Sequence, residues 1–260
     1  MALLDPSDPT PFDDGELYDF LLGDIDYGLD FYVDLARSAE GPVLDIGCGT
    51  GRVLLPCLQA GVDIDGLDLF EPMLAQLRDS AARLGLSPQL YRADMSDFRL
   101  PRRYALAMIP FNAFTHILTQ ESQIRCLERC REHLLPGGLL VFDGAFPGLH
   151  WIDGKQNERV LEVEKIDPRT GRTLRVFDTR SFDRVRQFQH SITEVESLGP
   201  DGSVELLQRS EFDTRWVYKE EMALLLRHTG YARWEIGGGF DDRELTKETD
   251  AMIVRAWVVS

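Results

Sequence analysis

The segment of this chain whose residue types most clearly indicate chemistry is the heptapeptide DIGCGTG at residues 45–51. It follows a short apolar stretch typical of a buried strand and precedes a helical pattern, which is the context of a nucleotide-binding loop. Glycines at alternate positions let the backbone turn sharply and let a ligand approach without Cβ atoms in the way. A dinucleotide-binding loop would have its third glycine where this chain has Arg52, so the loop predicts a ligand without a pyrophosphate.

Two acids follow the loop at the ends of the next two predicted strands. Asp68 lies 21 residues after Gly47, where a carboxylate can accept hydrogen bonds from both hydroxyls of a ribose. Asp94 ends the third strand and could accept from an adenine amino group while Met95 packs on the ring. Open parallel sheets bind ligands at the carboxyl ends of their strands, so the loop and the two acids predict one nucleoside-binding site.

The segment after the fourth predicted strand contains a candidate general base. His116 is the only histidine there and lies close in sequence to Phe111 and Asn112. A neutral imidazole could take a proton from a reacting group, although a helix-capping or core histidine is the alternative. His150 beside Trp151 is the second candidate. We expect the substrate-binding residues to be Phe111, Asn112, His150, Trp151 and Trp216, and we expect Tyr18 to close over the ligand.

The order of the predicted elements indicates an α/β protein with an antiparallel addition. Strands and helices alternate over residues 41–145, which predicts a parallel sheet covered by helices. Residues 160–217 contain four long alternating segments joined by the turn sequences DPRTG and GPDG, which predict an antiparallel meander. A helix at 219–228 and two strands end the chain. Before the sheet, residues 16–39 have helical spacing interrupted by glycines, and residues 1–14 have the composition of a tail.

Composition excludes several classes of function. Lys plus Arg number 28 and Asp plus Glu number 44, so the formal net charge is −16. Such a charge repels nucleic acid and anionic membranes and favours a neutral or cationic small molecule. The four cysteines lack the spacing of a disulfide scaffold, the N-terminus lacks a signal-peptide pattern, and no apolar stretch approaches about 18 residues. We therefore expect a reduced, soluble, cytoplasmic protein.

A metal site is not expected. Cys126, Cys130 and His133 share one face of a predicted helix, but they have no fourth ligand and lie in an arginine-rich segment. The long edge of the meander could pair two chains into a homodimer.

These motifs resemble those of the class I S-adenosylmethionine-dependent methyltransferases. The similar stretches are residues 43–51, GLDLFEPML at 66–74, ADM at 93–95 and LPGGLLVF at 135–142. The resemblance covers about residues 41–145, and the last two strands are similar to the C-terminal hairpin of that family. It implies S-adenosyl-L-methionine as cofactor and S-adenosyl-L-homocysteine as product. The implied cofactor-binding residues are Asp45, Gly47, Cys48, Gly49, Gly51, Asp68, Leu69, Met73, Asp94, Met95 and Tyr18.

The resemblance also implies a fold, a division of the chain and a reaction. The fold is a Rossmann-like doubly wound sheet of seven strands with an antiparallel C-terminal hairpin, plus the β meander. The expected parts are a tail with lid helices at 1–40, a cofactor-binding core at 41–150, the insertion at 151–218 for substrate binding or dimerisation, and a C-terminal part at 219–260. The meander is similar to an insertion in bacterial small-molecule members, including sugar-amine N-methyltransferases.

The expected reaction is methylation of a small molecule at nitrogen or oxygen by in-line displacement. The signature of adenine N-methylation, Asn or Asp followed by Pro-Pro and an aromatic residue, is absent after the fourth strand, and so is the carboxylate cluster of metal-dependent catechol enzymes. Two alternatives stay open: a different reaction of the same cofactor, such as cyclisation, and a binding protein without catalysis.

Overall fold

The computed structural model describes residues 10–145, 155–247 and 249–259, which form two sheets with surrounding helices. In chain order the elements are α1 (Gly15–Leu22), α2 (Leu29–Arg37), β1 (Val43–Ile46), α3 (Leu54–Gln59), β2 (Ile64–Asp68), α4 (Glu71–Arg83), β3 (Gln89–Arg92), β4 (Tyr104–Ile109), a 3-10 turn (Ala113–His116), α5 (Gln120–His133), β5 (Leu134–Gly144), β6 (Arg159–Ile166), β7 (Thr173–Asp183), β8 (Phe188–Leu198), β9 (Val204–Arg215), α6 (Lys219–His228), β10 (Arg233–Gly238) and β11 (Met252–Trp257).

The larger sheet has seven strands in the order β10-β11-β5-β4-β1-β2-β3. Strands β1 to β5 are parallel, and β10 and β11 add an antiparallel hairpin at one edge. β1 and β2 are buried at every position because they lie in the middle of the sheet with helices on both faces. The Rossmann-like α/β sheet with an antiparallel C-terminal hairpin is therefore confirmed.

Two hydrophobic clusters cover the two faces of this sheet. On one face α5 and α6 contribute Leu127 and Leu226, and on the other α2, α3 and α4 contribute Tyr32, Leu54 and Leu74. Gly66 in β2 allows the close packing at the centre, since a Cβ atom there would lie 2.6 Å from Leu54 Cδ1. The core thus holds the carboxyl ends of β1, β2 and β4 rigidly at one edge.

The smaller sheet contains β6 to β9 in sequence order, all antiparallel, as the predicted meander requires. Helix α1 packs Leu21 against Leu174 and Val176 of this sheet. At the end of β9 the Arg215 guanidinium donates to Gln123 Oε1 at 2.5 Å and to the Glu221 carboxylate at 2.7 Å. The insertion is therefore fastened to the larger sheet through α5 and α6.

The fifth strand differs from its prediction. It begins at Leu134, directly after α5, instead of at Leu139, and the Pro-Gly-Gly segment at 136–138 lies inside it. The pairing of β4 with β5 shifts between Tyr104 and Leu106, which accommodates the segment as an irregularity at the strand's start. Within the described residues, no helix is both long enough and apolar enough to cross a membrane.

Candidate functional site

A cavity of about 390 Å³ lies at the carboxyl edge of the larger sheet. Its wall combines the glycine loop after β1, the ends of β2 and β3, the segment after β4, the N-terminal segment and one residue of β9. The residues predicted to bind a cofactor that line it are Tyr18, Gly47, Cys48, Gly49, Asp68, Leu69, Met73, Asp94 and Met95. His116 and Phe111 line it as well. The predicted cofactor-binding residues therefore share one cavity with the predicted general base and one predicted substrate-binding residue.

The glycine loop has the left-handed backbone that its glycines allow. Gly47 and Gly49 have φ angles of 71° and 52°, and a Cβ atom at Gly49 would have only the Met73 methyl nearby, at 3.5 Å. Gly51 serves another purpose, since it does not line the cavity and a Cβ atom there would lie 2.9 Å from Leu77 Cγ. Gly49 thus leaves space for a ligand. Gly47 allows close packing on the segment after β4, since a Cβ atom there would lie 3.1 Å from Ala113 Cβ, and Gly51 allows α3 and α4 to pack closely.

Asp68 is held in place by the loops on either side of it. Its Oδ2 accepts the Gly49 N–H at 2.8 Å, and its Oδ1 accepts the Phe70 N–H at 2.9 Å. Burial raises the pKa of Asp68, while these backbone N–H groups act in the opposite direction. Each carboxylate oxygen keeps a further acceptor position for a ligand hydroxyl.

Asp45 is a buried carboxyl without a partner among the described residues. It lies at the end of β1, behind the glycine loop and off the cavity wall, and neither carboxyl oxygen has a hydrogen-bond partner. Burial, and next the nearby negative charge of Asp68, raise the pKa of Asp45 to about 8. A cation bound at the loop would lower that pKa, because an opposite charge favours the ionised form.

The part of the cavity near the end of β3, where adenine is predicted to bind, has a polar and an apolar side. Asp94 Oδ1 accepts the Ser96 N–H at 2.7 Å, which fixes the carboxylate at the cavity wall. Leu69 is 49% exposed, although it is a large apolar residue, and it lines this cavity together with Met95. An exposed apolar surface beside a fixed acceptor suits a flat heteroaromatic ring with an amino group.

His116 lines the cavity at the end of the 3-10 turn. Its ring is 5.4 Å from the ring of Phe12 in the N-terminal segment and 5.9 Å from that of Phe212 in β9. Desolvation by the neighbouring protein lowers the pKa of His116 to about 4, although the residue keeps an exposed surface. The imidazole is therefore neutral at neutral pH.

A single carboxylate holds the segment after β4. Asp143, fully buried at the end of β5, accepts the Phe111 N–H at 2.9 Å and the Asn112 N–H at 2.7 Å. Phe111 and Asn112 have φ angles of 58° and 59°, an uncommon conformation for residues other than glycine. The Tyr32 hydroxyl donates to the same carboxylate at 2.5 Å. Burial raises the pKa of Asp143 to about 6, although these hydrogen bonds oppose the shift.

Arg52 is a cavity residue that sequence reasoning missed. Its guanidinium donates to the Leu22 carbonyl at 2.6 Å and lies 4.4 Å from the centre of the Phe111 ring. Among the described residues no carboxylate lies within ion-pair distance of it, so its charge is available to an anionic group in the cavity. The sequence contained a signal, because Arg52 stands where a dinucleotide loop has glycine. The other cavity residues missed include Thr10, Phe12, Thr50, Phe70, Ser96 and Phe212.

Several predicted residues do not line the cavity. Asn112 and Trp216 are off its wall, and Trp216 is only 3% exposed. His150 and Trp151 lie outside the described residues. His133, considered above as a metal ligand, accepts the Leu100 N–H at 2.9 Å and has its other ring nitrogen 2.8 Å from the Arg129 carbonyl. Both of its ring nitrogens are therefore engaged in the fold.

Comparison with known proteins shows that part of this chain is similar to a known type of domain. Residues 43–138 match the model of a methyltransferase domain. The chain is 26% identical over 253 residues to the cypemycin N-terminal methyltransferase of a Streptomyces species, which covers 95% of this chain and 98% of that protein. It is 34% identical over 101 residues to the dTDP-3-amino-3,6-dideoxy-alpha-D-glucopyranose N,N-dimethyltransferase of Streptomyces fradiae, but this match covers only 39% of the chain and 38% of that enzyme.

Solved structures show the same fold over nearly the whole chain. The CcbJ methyltransferase of Streptomyces caelestis superposes with a TM-score of 0.77 at 24% identity, covering 96% of this chain and 99% of that one. An S-adenosylmethionine-dependent methyltransferase of Clostridium acetobutylicum has a TM-score of 0.75 at 17% identity, with 94% and 97% covered. At these identities the likeness shows the fold.

Proposed function

We propose that this chain, an S-adenosylmethionine-dependent methyltransferase of class I by its domain and its fold, methylates the nitrogen of a small neutral or cationic amine. The observation that carries the proposal is the shared cavity. The glycine loop and Asp68 line it together with several aromatic residues and a neutral histidine. Cofactor and acceptor would therefore meet inside one enclosed space.

The residues present fit the cofactor. The space beside Gly47 and Gly49 would take the methionine part, Asp68 would accept from the ribose hydroxyls, and Asp94 would accept from the adenine amino group. Leu69, Cys48, Met73 and Met95 would supply the apolar contacts. S-adenosylmethionine supplies a methyl carbon that is already activated by its attachment to a sulfonium.

The methionine part carries both a carboxylate and an ammonium group, and the site has a charge for each. Arg52 would bind the carboxylate, with Tyr18 as a second donor on the cavity wall. Asp45 would attract the ammonium group from behind the loop. The ammonium would then be the cationic partner that the Asp45 carboxyl otherwise lacks. We infer that these two residues orient the methionine part, because opposite charges on its two sides fix its direction.

Nitrogen is favoured as the acceptor atom by the relatives. The similar proteins are named an N-terminal methyltransferase and an N,N-dimethyltransferase, and only the first aligns with nearly the whole chain. The net charge of −16 also favours a peptide amine over an anionic sugar nucleotide, because the protein's field repels anions. The acceptor would enter between His116, Phe212 and Phe12.

Direct displacement requires a free lone pair on the nitrogen, so the amine must react in its neutral form. His116 would accept a hydrogen bond from the amine N–H and hold the lone pair toward the methyl carbon. Its lowered pKa keeps the imidazole neutral for this purpose and makes it a weaker base than an ordinary histidine. Orientation, more than proton removal, would be its contribution.

Radiolabelled S-adenosylmethionine tests the proposal with two probe acceptors. One is a short peptide with a free amino terminus, and the other is a dTDP-amino sugar. We expect label in the peptide, and no label when Asp68→Ala replaces the native enzyme. Failure of the native protein to bind S-adenosylhomocysteine would contradict the whole assignment, and label in the sugar alone would overturn the choice of acceptor.

No nucleic-acid acceptor is expected, because the net charge opposes it. The outer edges of β6 and β9 are unpaired within the described chain, so a homodimer through one of them is the expected assembly. Size-exclusion chromatography with light scattering would test the dimer.

A further inference from the structure

The carboxylate of Asp143 connects three parts of the molecule without reaching the cavity. It accepts two consecutive backbone N–H groups from the segment after β4 and a hydroxyl from α2. Neither Asp143 nor Tyr32 lines the cavity, and both side chains are fully buried. Their hydrogen bonds therefore act on the site only through the segment that they hold.

The backbone of that segment is strained at the point where the segment meets the cavity. Phe111 and Asn112 are both left-handed, and neither is a glycine. Each such residue costs free energy that surrounding interactions must offset. The two N–H groups point to one carboxylate because of this backbone conformation, so the hydrogen bonds and the left-handed turn depend on each other.

The turn fixes the position of Phe111, whose ring lies under the Arg52 guanidinium at 4.4 Å. A cation above an aromatic face is attracted to it, and the attraction is stronger away from water. Arg52 has one further fixed contact, its hydrogen bond to the Leu22 carbonyl at the end of α1. The position of its charge therefore depends on where the Phe111 ring stands.

We propose that Asp143 and Tyr32 are positioning residues of this enzyme, which hold Phe111 under Arg52 and thereby aim the arginine at the cofactor carboxylate. The inference rests on the proposed function, since it assumes that Arg52 binds the cofactor. Aromatic packing helps to hold Tyr32 in place, because Phe240 packs against both Tyr27 and Tyr32. Helix α2 thus contributes to cofactor binding from a distance through one hydroxyl.

Binding of S-adenosylhomocysteine, measured by titration calorimetry, tests the inference without an acceptor. Asp143→Asn replaces one acceptor oxygen by an NH₂ group, which faces a backbone N–H and cannot accept from it. We expect its dissociation constant to rise about 5- to 10-fold, the range of a partly desolvated cation–π contact. Tyr32→Phe removes only the hydroxyl, and we expect a rise of about 2- to 3-fold.

Tyr104→Phe is the matched control. Tyr104 is also fully buried and donates its hydroxyl to a buried aspartate, Asp65, at 2.8 Å, but the pair lies away from the cavity. We expect it to lose stability as Tyr32→Phe does while its affinity stays unchanged. Amide exchange at Phe111 and Asn112 should accelerate in the two test variants and not in the control.

A double-mutant cycle separates positioning from general destabilisation. In an Arg52→Gln background, Asp143→Asn should change the dissociation constant less than about 2-fold, since the residue through which it acts is gone. If Asp143→Asn does not fold, Tyr32→Phe replaces it in the same cycle. Equal effects in both backgrounds, or an unchanged affinity in the single variants, would overturn the inference. A native protein that does not bind S-adenosylhomocysteine would instead refute the proposed function.

Discussion

At the scale of single residues, Gly49 is the simplest test of the cofactor site. Gly49→Val would place a branched side chain in the space for the methionine part, and we expect binding of S-adenosylhomocysteine to be lost with the fold retained. Gly61→Val is the matched control, because Gly61 also has a positive φ of 79° but nothing within 4 Å of its Cβ position. Both variants bear a left-handed strain of about 1–2 kcal/mol. Calorimetry that shows equal affinities would contradict the site.

Asp68 should provide the ribose contact. We expect Asp68→Ala to weaken cofactor binding by about 1.5–3 kcal/mol, the usual contribution of hydrogen bonds to a charged group. The variant also releases the N–H groups of Gly49 and Phe70, so circular dichroism must show that the loop's surroundings remain folded. Asp63→Ala, at an exposed ion pair with Arg102, is the control and should bind as the native protein does. A loss within the error of that control would assign the ribose to another residue.

Asp45 should make stability depend on pH in a recognisable direction. Its pKa is about 8 in the folded protein and about 3.9 when unfolded, so the folded state holds a proton that the unfolded state has lost. Unfolding then releases this proton, and the free energy of unfolding falls as pH rises toward 8, by up to about 1.4 kcal/mol per pH unit. Between pH 6 and about 7, Asp143, with a pKa of about 6, adds to this slope. His116, whose pKa is lowered from 6.5 to about 4, opposes it there, because the unfolded state binds the extra proton. Urea denaturation of the ligand-free protein between pH 6 and 8 should therefore show a free energy of unfolding that falls more steeply with pH in the native chain than in Asp45→Asn. The idea fails if the two slopes agree.

At the scale of elements, the alternation of strands and helices and the turn sequences of the meander were sufficient to predict both sheets. The common location of the glycine loop, Asp68 and Asp94 at one cavity could be predicted, because each is specified by its place at a strand end. Phe12 and Phe212 could not, because they reach the cavity from two elements whose relative position no local pattern encodes. The left-handed turn at Phe111 was also missed, since a buried carboxylate 32 residues later in the chain imposes it, and no glycine marks it.

The insertion should determine the acceptor through Phe212, its one cavity residue within the described chain. We expect Phe212→Ala to raise the KM of the acceptor found by the radiolabel assay about 10-fold, because a buried aromatic contact of a few kcal/mol is lost in part. The affinity for S-adenosylhomocysteine should not change. Phe177→Ala, on the opposite face of the same sheet beside Arg159, is the control. An unchanged KM in Phe212→Ala would remove the insertion from the acceptor site.

At the scale of the whole molecule, the charge of −16 should act on the encounter with the acceptor. Salt reduces the Debye length from about 10 Å at 0.1 M to about 3 Å at 1 M, so it weakens attraction between the protein and a cationic peptide. We expect kcat/KM for a basic peptide amine to fall several-fold as sodium chloride rises, mainly through KM. The same peptide with its basic side chains replaced by neutral ones should respond little, and so should the affinity for S-adenosylhomocysteine. A kcat/KM that rises with salt would show that the protein repels its acceptor, as it would repel an anionic sugar nucleotide. That result would reverse the choice of a peptide amine as acceptor, which rests on the net charge.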